Sequence, residues 1–281
     1  MRSPRGSRDR KIRASASQSP AVSIPRSLIR GNTMQAIYGV HPVAEALKNG
    51  GKIEKIVLLK GGKQGGIREI LEIATRRKIP VAYGDREYLN VTAGTGQHQG
   101  VICICGEYRY AGMDEVLSDC KSRESALILI LDSITDPQNL GSLIRTALCF
   151  GVDGLVIPEN RAASVTSAVI KASAGAALHL PIIRVVNISR TIDNLKKEGF
   201  WIYGADVGCG GDLRSPDYSS HAGLVMGSEG KGIRPLVKKK CDFLISIPVT
   251  DAIDSLNVSV AGGIILYEMT LNRNTLKKEG G

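Results

Sequence analysis

Ile245-Ser-Ile-Pro-Val-Thr-Asp-Ala-Ile-Asp-Ser-Leu-Asn-Val-Ser-Val-Ala-Gly-Gly-Ile-Ile-Leu-Tyr-Glu268 opens as a short apolar run broken at Pro248, passes through polar residues to Ser255 and then changes period. Val258, Ala261, Ile265, Leu266 and Met269 recur at helical spacing, so the stretch predicts strand, loop and helix. The polar loop and a first helical turn at Ser255-Leu256-Asn257 leave free backbone N–H and C=O groups at the carboxyl edge of the strand. Open α/β sheets bind ligands at that edge, which makes the stretch a candidate site.

Working back along the chain, Ala126 to Leu131 is a continuous aliphatic run, the pattern of a central parallel strand covered on both faces. Asp136 and Pro137 then give a helix-start signal, with Leu140, Ile144, Ala147 and Leu148 as its apolar stripe. Further strands are expected at 154–158, 181–185, 200–205, 223–226 and 243–247, and helices at roughly 165–177, 189–199 and 233–239. That is an α/β domain of about six mostly parallel strands over residues 126–274, with 275–281 as a tail.

A second, smaller α/β unit precedes it over 34–106, joined by a polar linker at 107–125. Ile37 to Leu47 reads as a turn into a short helix ended at Asn49-Gly50-Gly51. A strand follows at 53–59, a helix at 67–78, a short strand at 81–83, the Gly-rich loop Gly94 to Gly100 and a strand at 101–105. Lys48, Lys52, Lys55, Lys60, Lys63, Arg68, Arg76, Arg77 and Lys78 gather at its helix ends and loops. They suit phosphates, and they equally suit an ordinary solvated surface.

The chain has 281 residues and a formal charge of +10, which points to an anionic partner. Residues 1–33 hold eight Arg/Lys against Asp9, leaving only +3 for the rest. That Arg-, Ser- and Pro-rich segment is expected to be disordered. It fits a mis-assigned start upstream of Met34, an organelle transit segment, or a nucleic-acid-binding arm. No apolar run approaches the ~18 residues that span a bilayer. The six cysteines show no C-x-x-C pair and sit mostly in apolar runs, as in a reduced cytoplasmic protein with buried thiols.

Two loops invite a nucleotide reading. Asp206-Val-Gly-Cys-Gly-Gly-Asp212 follows a strand, but Leu213 to Ser220 continues as loop where a phosphate-binding turn needs a helix; a surface turn is expected. Gly227-Ser-Glu-Gly-Lys-Gly-Ile-Arg-Pro235 places Gly232 after Lys231, where a Walker A loop needs Ser or Thr. Its glycines still admit a ligand close to backbone, with Glu229 as an acceptor at the tip. No zinc spacing is present, and His41, His98, His179 and His221 are scattered, His98 alone lying in a loop suited to contact.

Asp136 to Ala147, Leu224 to Gly232, and Ile247-Pro with Ser255 to Ala261 resemble, in order and spacing, the three motifs of the SpoU branch of the SPOUT RNA 2′-O-methyltransferases. Residues 34–105, with Ile37-Tyr-Gly-Val-His41 and His98-Gln-Gly-Val101, resemble the L30e-like domain of the RlmB-type bacterial 23S rRNA guanosine-2′-O-methyltransferases. Together the resemblance covers Met34 to Asn272. It implies a trefoil-knotted catalytic domain, S-adenosyl-L-methionine as cofactor, a homodimer and an RNA substrate, with 23S rRNA ahead of tRNA; no metal and no membrane partner is implied. Carried over residue by residue, it implies Arg145 as principal catalytic residue with Asn139, Glu229, Ser255 and Asn257 around the ribose, and cofactor contacts near Gly227, Ile247 and Leu256. Val249 and Asp251 depart from the Met and Gly that many relatives carry, and Ser142 replaces a common Ala. A non-catalytic RNA-binding assembly factor on the same fold is the rival from another class.

Overall fold

The computed structural model describes residues 34–50, 52–62, 66–250 and 255–279, with side chains through Arg273. The first unit is a four-stranded sheet of β1 (Met34–Tyr38), β2 (Ile53–Leu59), β3 (Val81–Gly84) and β4 (Val101–Gly106), ordered β1-β4-β2-β3. Its helices are α1 (Val40–Lys48), α2 (Ile67–Arg76) and α3 (Arg86–Ala93). Two elements differ from expectation. The residues taken as a turn into α1 begin with β1, which pairs antiparallel with β4 from Met34↔Gly106 to Tyr38↔Ile102; its partner lies far along the chain, where local periodicity cannot find it. Helix α3 is not expected from the hydrophobic period, although Asp85 caps it by accepting from Tyr88 N at 2.8 Å and Gly94 ends it at φ 67°.

Residues 107–125 are not a plain linker. They contain α4 (Met113–Lys121), which buries Val116, Leu117 and Cys120 against the second sheet. That sheet comprises β5 (Leu127–Asp132), β6 (Gly154–Pro158), β7 (Ile182–Val185), β8 (Trp201–Ala205), β9 (Ala222–Gly227) and β10 (Phe243–Ile245), all parallel and ordered β10-β8-β9-β5-β6-β7. Every residue of β5 is buried, as its aliphatic run requires. One apolar core contains residues of α5 (Pro137–Cys149) and α9 (Val258–Glu279), the other residues of α4, α7 (Ile188–Lys197) and α8 (Pro235–Lys238). Helix α9 runs on to Glu279, into the residues expected as a C-terminal tail. Leu148, expected on the buried stripe of α5, is exposed.

The single helix expected at 165–177 is split into α6 (Ser167–Ala172) and a 3₁₀ turn at Ala176–Leu178. Ala174 and Gly175 between them take φ of 52° and 91°. The cause is tertiary: a Cβ on Gly175 would lie 2.8 Å from Glu45 Cβ on α1. Around this break the two units are joined. His179 Nε2 lies 2.8 Å from Glu45 Oε2, Tyr108 Oη donates to Ala177 O at 2.8 Å, and Lys171 Nζ donates to Gln97 O and lies 4.9 Å from the Tyr38 ring centroid.

His98, the one histidine expected in a contact loop, is buried and satisfied: Nε2 meets Asn90 Oδ1 at 3.1 Å and Nδ1 accepts from Gly100 N at 3.0 Å. Burial, aided by Arg86 and Lys171, holds its pKa below the ordinary value. The unfolded chain therefore takes a proton near pH ~6.5 that the folded one refuses, so this contribution to stability is present above that pH and lost as pH falls below it. His98→Asn is expected to shrink the fall in melting temperature between about pH 7.5 and about pH 5.5, read by thermal denaturation at the two pH values.

Beyond Ile245 the sixth strand stops two residues short of expectation, because Ser246 turns to donate from N and Oγ to Gly211 O, each at 2.9 Å. A Cβ on Gly211 would sit 2.0 Å from Leu244 O. The loop after β8 thus crosses β10 in backbone contact, the local feature that a threaded chain needs.

Candidate active site

The loops at the carboxyl ends of β5, β8, β9 and β10 meet at one edge of the sheet. Asp132, the last residue of β5, is fully buried and accepts from Arg234 N at 2.9 Å and Arg234 Nε at 2.7 Å. This pins the end of the 228–234 loop, whose neck closes by Ser228 N to Gly232 O at 3.1 Å and Gly232 N to Ser228 O at 2.9 Å. Gly227 has to be glycine, since its Cβ would lie 2.0 Å from Gly232 C. Neither Asp132 nor Arg234 stood out in the sequence; the only signal was a charged residue closing an apolar run. Asp132→Ala is expected to destabilise by about 2 kcal/mol, since the half-exposed Arg234 guanidinium regains water while its backbone N–H loses its acceptor. Chemical denaturation measures the loss, and a weaker hold on a cofactor should accompany it.

Three of the expected site residues converge. Asn139 enters on the first turn of α5, where Asp136 caps the helix by accepting from Gln138 N and Asn139 N at 3.1 and 3.2 Å. Glu229 Oε1, at the tip of its loop, accepts from Asn139 Nδ2 at 3.0 Å and Asn257 Nδ2 at 2.6 Å. Asn257 Nδ2 also reaches Asn139 Oδ1 at 3.0 Å. Helix α9 begins at Val258, three residues later than expected, and Asn257 is its cap: Oδ1 accepts from Ser259 N at 2.9 Å and Ser259 Oγ at 2.6 Å. Three segments far apart in sequence are thereby locked through amide groups whose orientations the network fixes.

Beside this cluster lies a cleft of about 450 Å³, within the size range of small-molecule sites. Gly227, Glu229, Ile247, Ser255 and Leu256 line it, as does Val249; Asp251 lies outside the described residues. Met226, Ile245, Val258, Ala261 and Ile265 give an apolar wall. Asp206 and Val207 also line it, so the turn expected after β8, which is exposed at Val207 and Gly208, borders the cleft. Arg145 does not: it is exposed on α5, outside the cleft lining and without a hydrogen bond or ion pair among the described residues. A larger hollow of about 790 Å³ separates the two units, but its charges alternate in sign, Lys52 and Arg109 beside Glu107, Glu115 and Asp119. Among the described residues no group of three His, Cys, Asp or Glu side chains could hold a metal ion. No described helix is long and apolar enough to cross a membrane. Of the six cysteines, expected buried, Cys103 and Cys120 are, whereas Cys149 is exposed.

Residues 126–267 match the SpoU rRNA Methylase family, and residues 36–111 match a domain described as RNA 2′-O ribose methyltransferase substrate binding. The chain belongs to the SpoU rRNA methylase family. A TrmH family tRNA/rRNA methyltransferase of Bacillus subtilis is 41% identical over 239 residues, covering 85% of this chain and 96% of that protein. Among solved structures, an AdoMet-bound rRNA methyltransferase from Sinorhizobium meliloti superposes with a TM-score of 0.70 at 26% identity, over 84% of this chain and 86% of that one. The SpoU methyltransferase AviRb from Streptomyces viridochromogenes gives 0.74 at 23% identity over 90% and 95%, a likeness of fold. Placed in the SpoU family, the chain is an RNA ribose 2′-O-methyltransferase with a separate substrate-binding domain. The Asn139–Glu229–Asn257 cluster joins the three segments whose sequences resemble the family's motifs.

Proposed function

We propose that this enzyme methylates the 2′-hydroxyl of a guanosine ribose in large-subunit ribosomal RNA during ribosome biogenesis, with S-adenosylmethionine as cofactor. The observation that carries the reading is the Asn139–Glu229–Asn257 cluster set on the rim of an apolar, glycine-edged cleft. The cleft fits the cofactor: a hydrophobic wall for a purine, glycine backbone lining it at Gly227 and Gly232 for its polar groups, and a rim of Ser255 and Glu229. When bound, S-adenosylmethionine supplies an electrophilic methyl on a sulfonium. The chain's own task is positioning, which is worth a large share of a transfer barrier. Leu256 and Ile247 close the apolar side, and the Asn139 amide, fixed by Glu229 and by Asn257 beside the ribose, presents a defined donor to it. Arg145, which has no protein partner among the described residues, clamps an adjacent phosphate and orients the hydroxyl. A guanidinium does not readily give up its proton and so is no simple base; the proton leaves through that phosphate or water.

The substrate-binding unit supports rRNA, because RNA sequence is read mainly in loops and bulges that a small separate domain can grip. Several of its basic residues are already paired: Lys48 with Glu45 and Glu69, Lys52 with Glu54, and Arg68 with Glu72, while Arg77 donates to Leu47 O. Lys60, Arg76 and Lys78 are exposed and remain for phosphates; Lys63 lies outside the described residues. The enzyme works as a homodimer in the ribosome-containing compartment. Val260, Ile264 and Tyr267 form an exposed apolar stripe on α9 at helical spacing, the kind of face a second copy covers. Ile264→Asp is expected to yield a monomer by sedimentation velocity; an unchanged sedimentation coefficient would place the dimer elsewhere.

The deciding experiment is methyl transfer from labelled S-adenosylmethionine to 23S rRNA and to bulk tRNA, with the modified ribose mapped. One 2′-O-methylguanosine in 23S rRNA is the expected product. Transfer to tRNA alone would move the target, and tight RNA binding without transfer would favour an assembly factor.

A further inference from the structure

The Gly-rich stretch after β8 is not spare surface. Asp206 is the first residue beyond β8, held there by its N–H donating to Ile245 O at 3.0 Å. Its carboxylate is divided between two tasks. Oδ2 accepts from Lys238 Nζ on α8. Oδ1 is turned toward Gly232, where an added Cβ would lie 3.9 Å from it, and both Asp206 and Gly232 line the cleft. The Asp206 side chain is only 18% exposed, and the cleft is the open space that it borders.

Resting on the reading of the cleft as the S-adenosylmethionine site, we propose that Asp206, anchored by Lys238, accepts hydrogen bonds from the ribose hydroxyls of the cofactor and so fixes the orientation of its nucleoside. The choice of ribose over the methionine ammonium follows from charge. Lys238 already compensates the carboxylate, and its pKa is raised by that hydrogen bond, so a second cation gains little net attraction. Uncharged hydroxyls need only lone pairs, and bonds to an ionised acceptor are the stronger kind. Position agrees with this. The apolar wall of Met226, Ile245, Ala261 and Ile265 suits the adenine, and the Glu229 cluster marks the reacting end. A hydroxyl-accepting group is needed between them. Asp206 is thus a positioning residue for the cofactor, and it meets no reacting atom.

The test is equilibrium calorimetry on the full chain with S-adenosylhomocysteine, with 5′-methylthioadenosine, which lacks the amino-acid end, and with the 2′,3′-dideoxy form of the latter. Asp206→Ala is expected to weaken the first two by the same factor, about tenfold or more, and to leave the dideoxy probe unaffected. Asp206→Asn keeps the shape and one acceptor oxygen, so it should show part of the loss and guards against a folding defect in the alanine variant. A loss seen with S-adenosylhomocysteine but absent with methylthioadenosine would overturn the proposal in favour of the ammonium. Unchanged binding of both would leave Asp206 as a structural partner of Lys238 and overturn it as well. Failure of the wild-type chain to bind S-adenosylhomocysteine would be a different result, one that removes the reading of the cleft and this proposal with it.

Discussion

Arg145→Ala is expected to slow methyl transfer by about 10³-fold at saturating RNA while leaving S-adenosylhomocysteine affinity unchanged. The second half of that expectation follows from geometry: Arg145 lies outside the cleft lining, and no described side chain depends on it for a hydrogen bond. An exposed guanidinium without a protein partner contributes little to the fold, so the melting temperature should hold as well. Arg145→Lys keeps the charge and loses the planar fork, and should recover only part of the rate. Because a phosphate clamp releases counterions on binding, removing it should also flatten the salt dependence of RNA affinity by about one unit of slope. Loss of rate with an unchanged salt slope would sink the clamp and leave Arg145 acting on the ribose alone. If cofactor affinity fell in parallel with rate, the assignment of Arg145 to the RNA side of the site would be wrong.

Much of this site could be read from the sequence, and the parts that could not share a physical cause. The six strands of the second sheet are legible because parallel strands are buried on both faces and read as apolar runs, Ala126 to Leu131 most plainly. The capped start of α5 at Asp136-Pro137 was equally local. What stayed hidden was set by partners distant in sequence. Strand β1 is defined by pairing to β4, and the break at Gly175 by the packing of Glu45. The buried Asp132 is explained only by Arg234, about a hundred residues later. The place of Asp206 stays hidden for the same reason: an exposed turn does follow β8 at Val207 and Gly208, but the cleft that Asp206 lines is completed by Gly232 and Ile245, distant in sequence. Threading of the chain leaves no periodicity at all; only close backbone passages such as Gly211 over Leu244 betray it. Asn139, Glu229 and Asn257 became interpretable as a set through a family resemblance, since no spacing rule joins residues on three separate segments.

That set makes the second large prediction. Glu229→Ala is expected to lower the transfer rate by about 10²-fold or more, with a change in stability under about 1 kcal/mol. Glu229 is exposed, so removing it buries no unpaired group; it does release the two amides that it holds at 2.6 and 3.0 Å. Asn139 and Asn257 remain in contact with each other at 3.0 Å, and Asn257 keeps its cap of α9 through Oδ1. What is lost is the fixed rotation of the Asn139 amide, and with it the defined donor at the reacting end. Glu229→Gln keeps one acceptor oxygen of the same reach and should retain much of the rate, which separates orientation from charge. Asn139→Ala acts on the same unit, so the double variant Asn139→Ala/Glu229→Ala should be scarcely slower than either single one. Single-turnover rates of the four proteins decide this. If the two losses instead multiply, Glu229 touches the ribose independently, and the cluster is two contacts where the geometry shows one locked device.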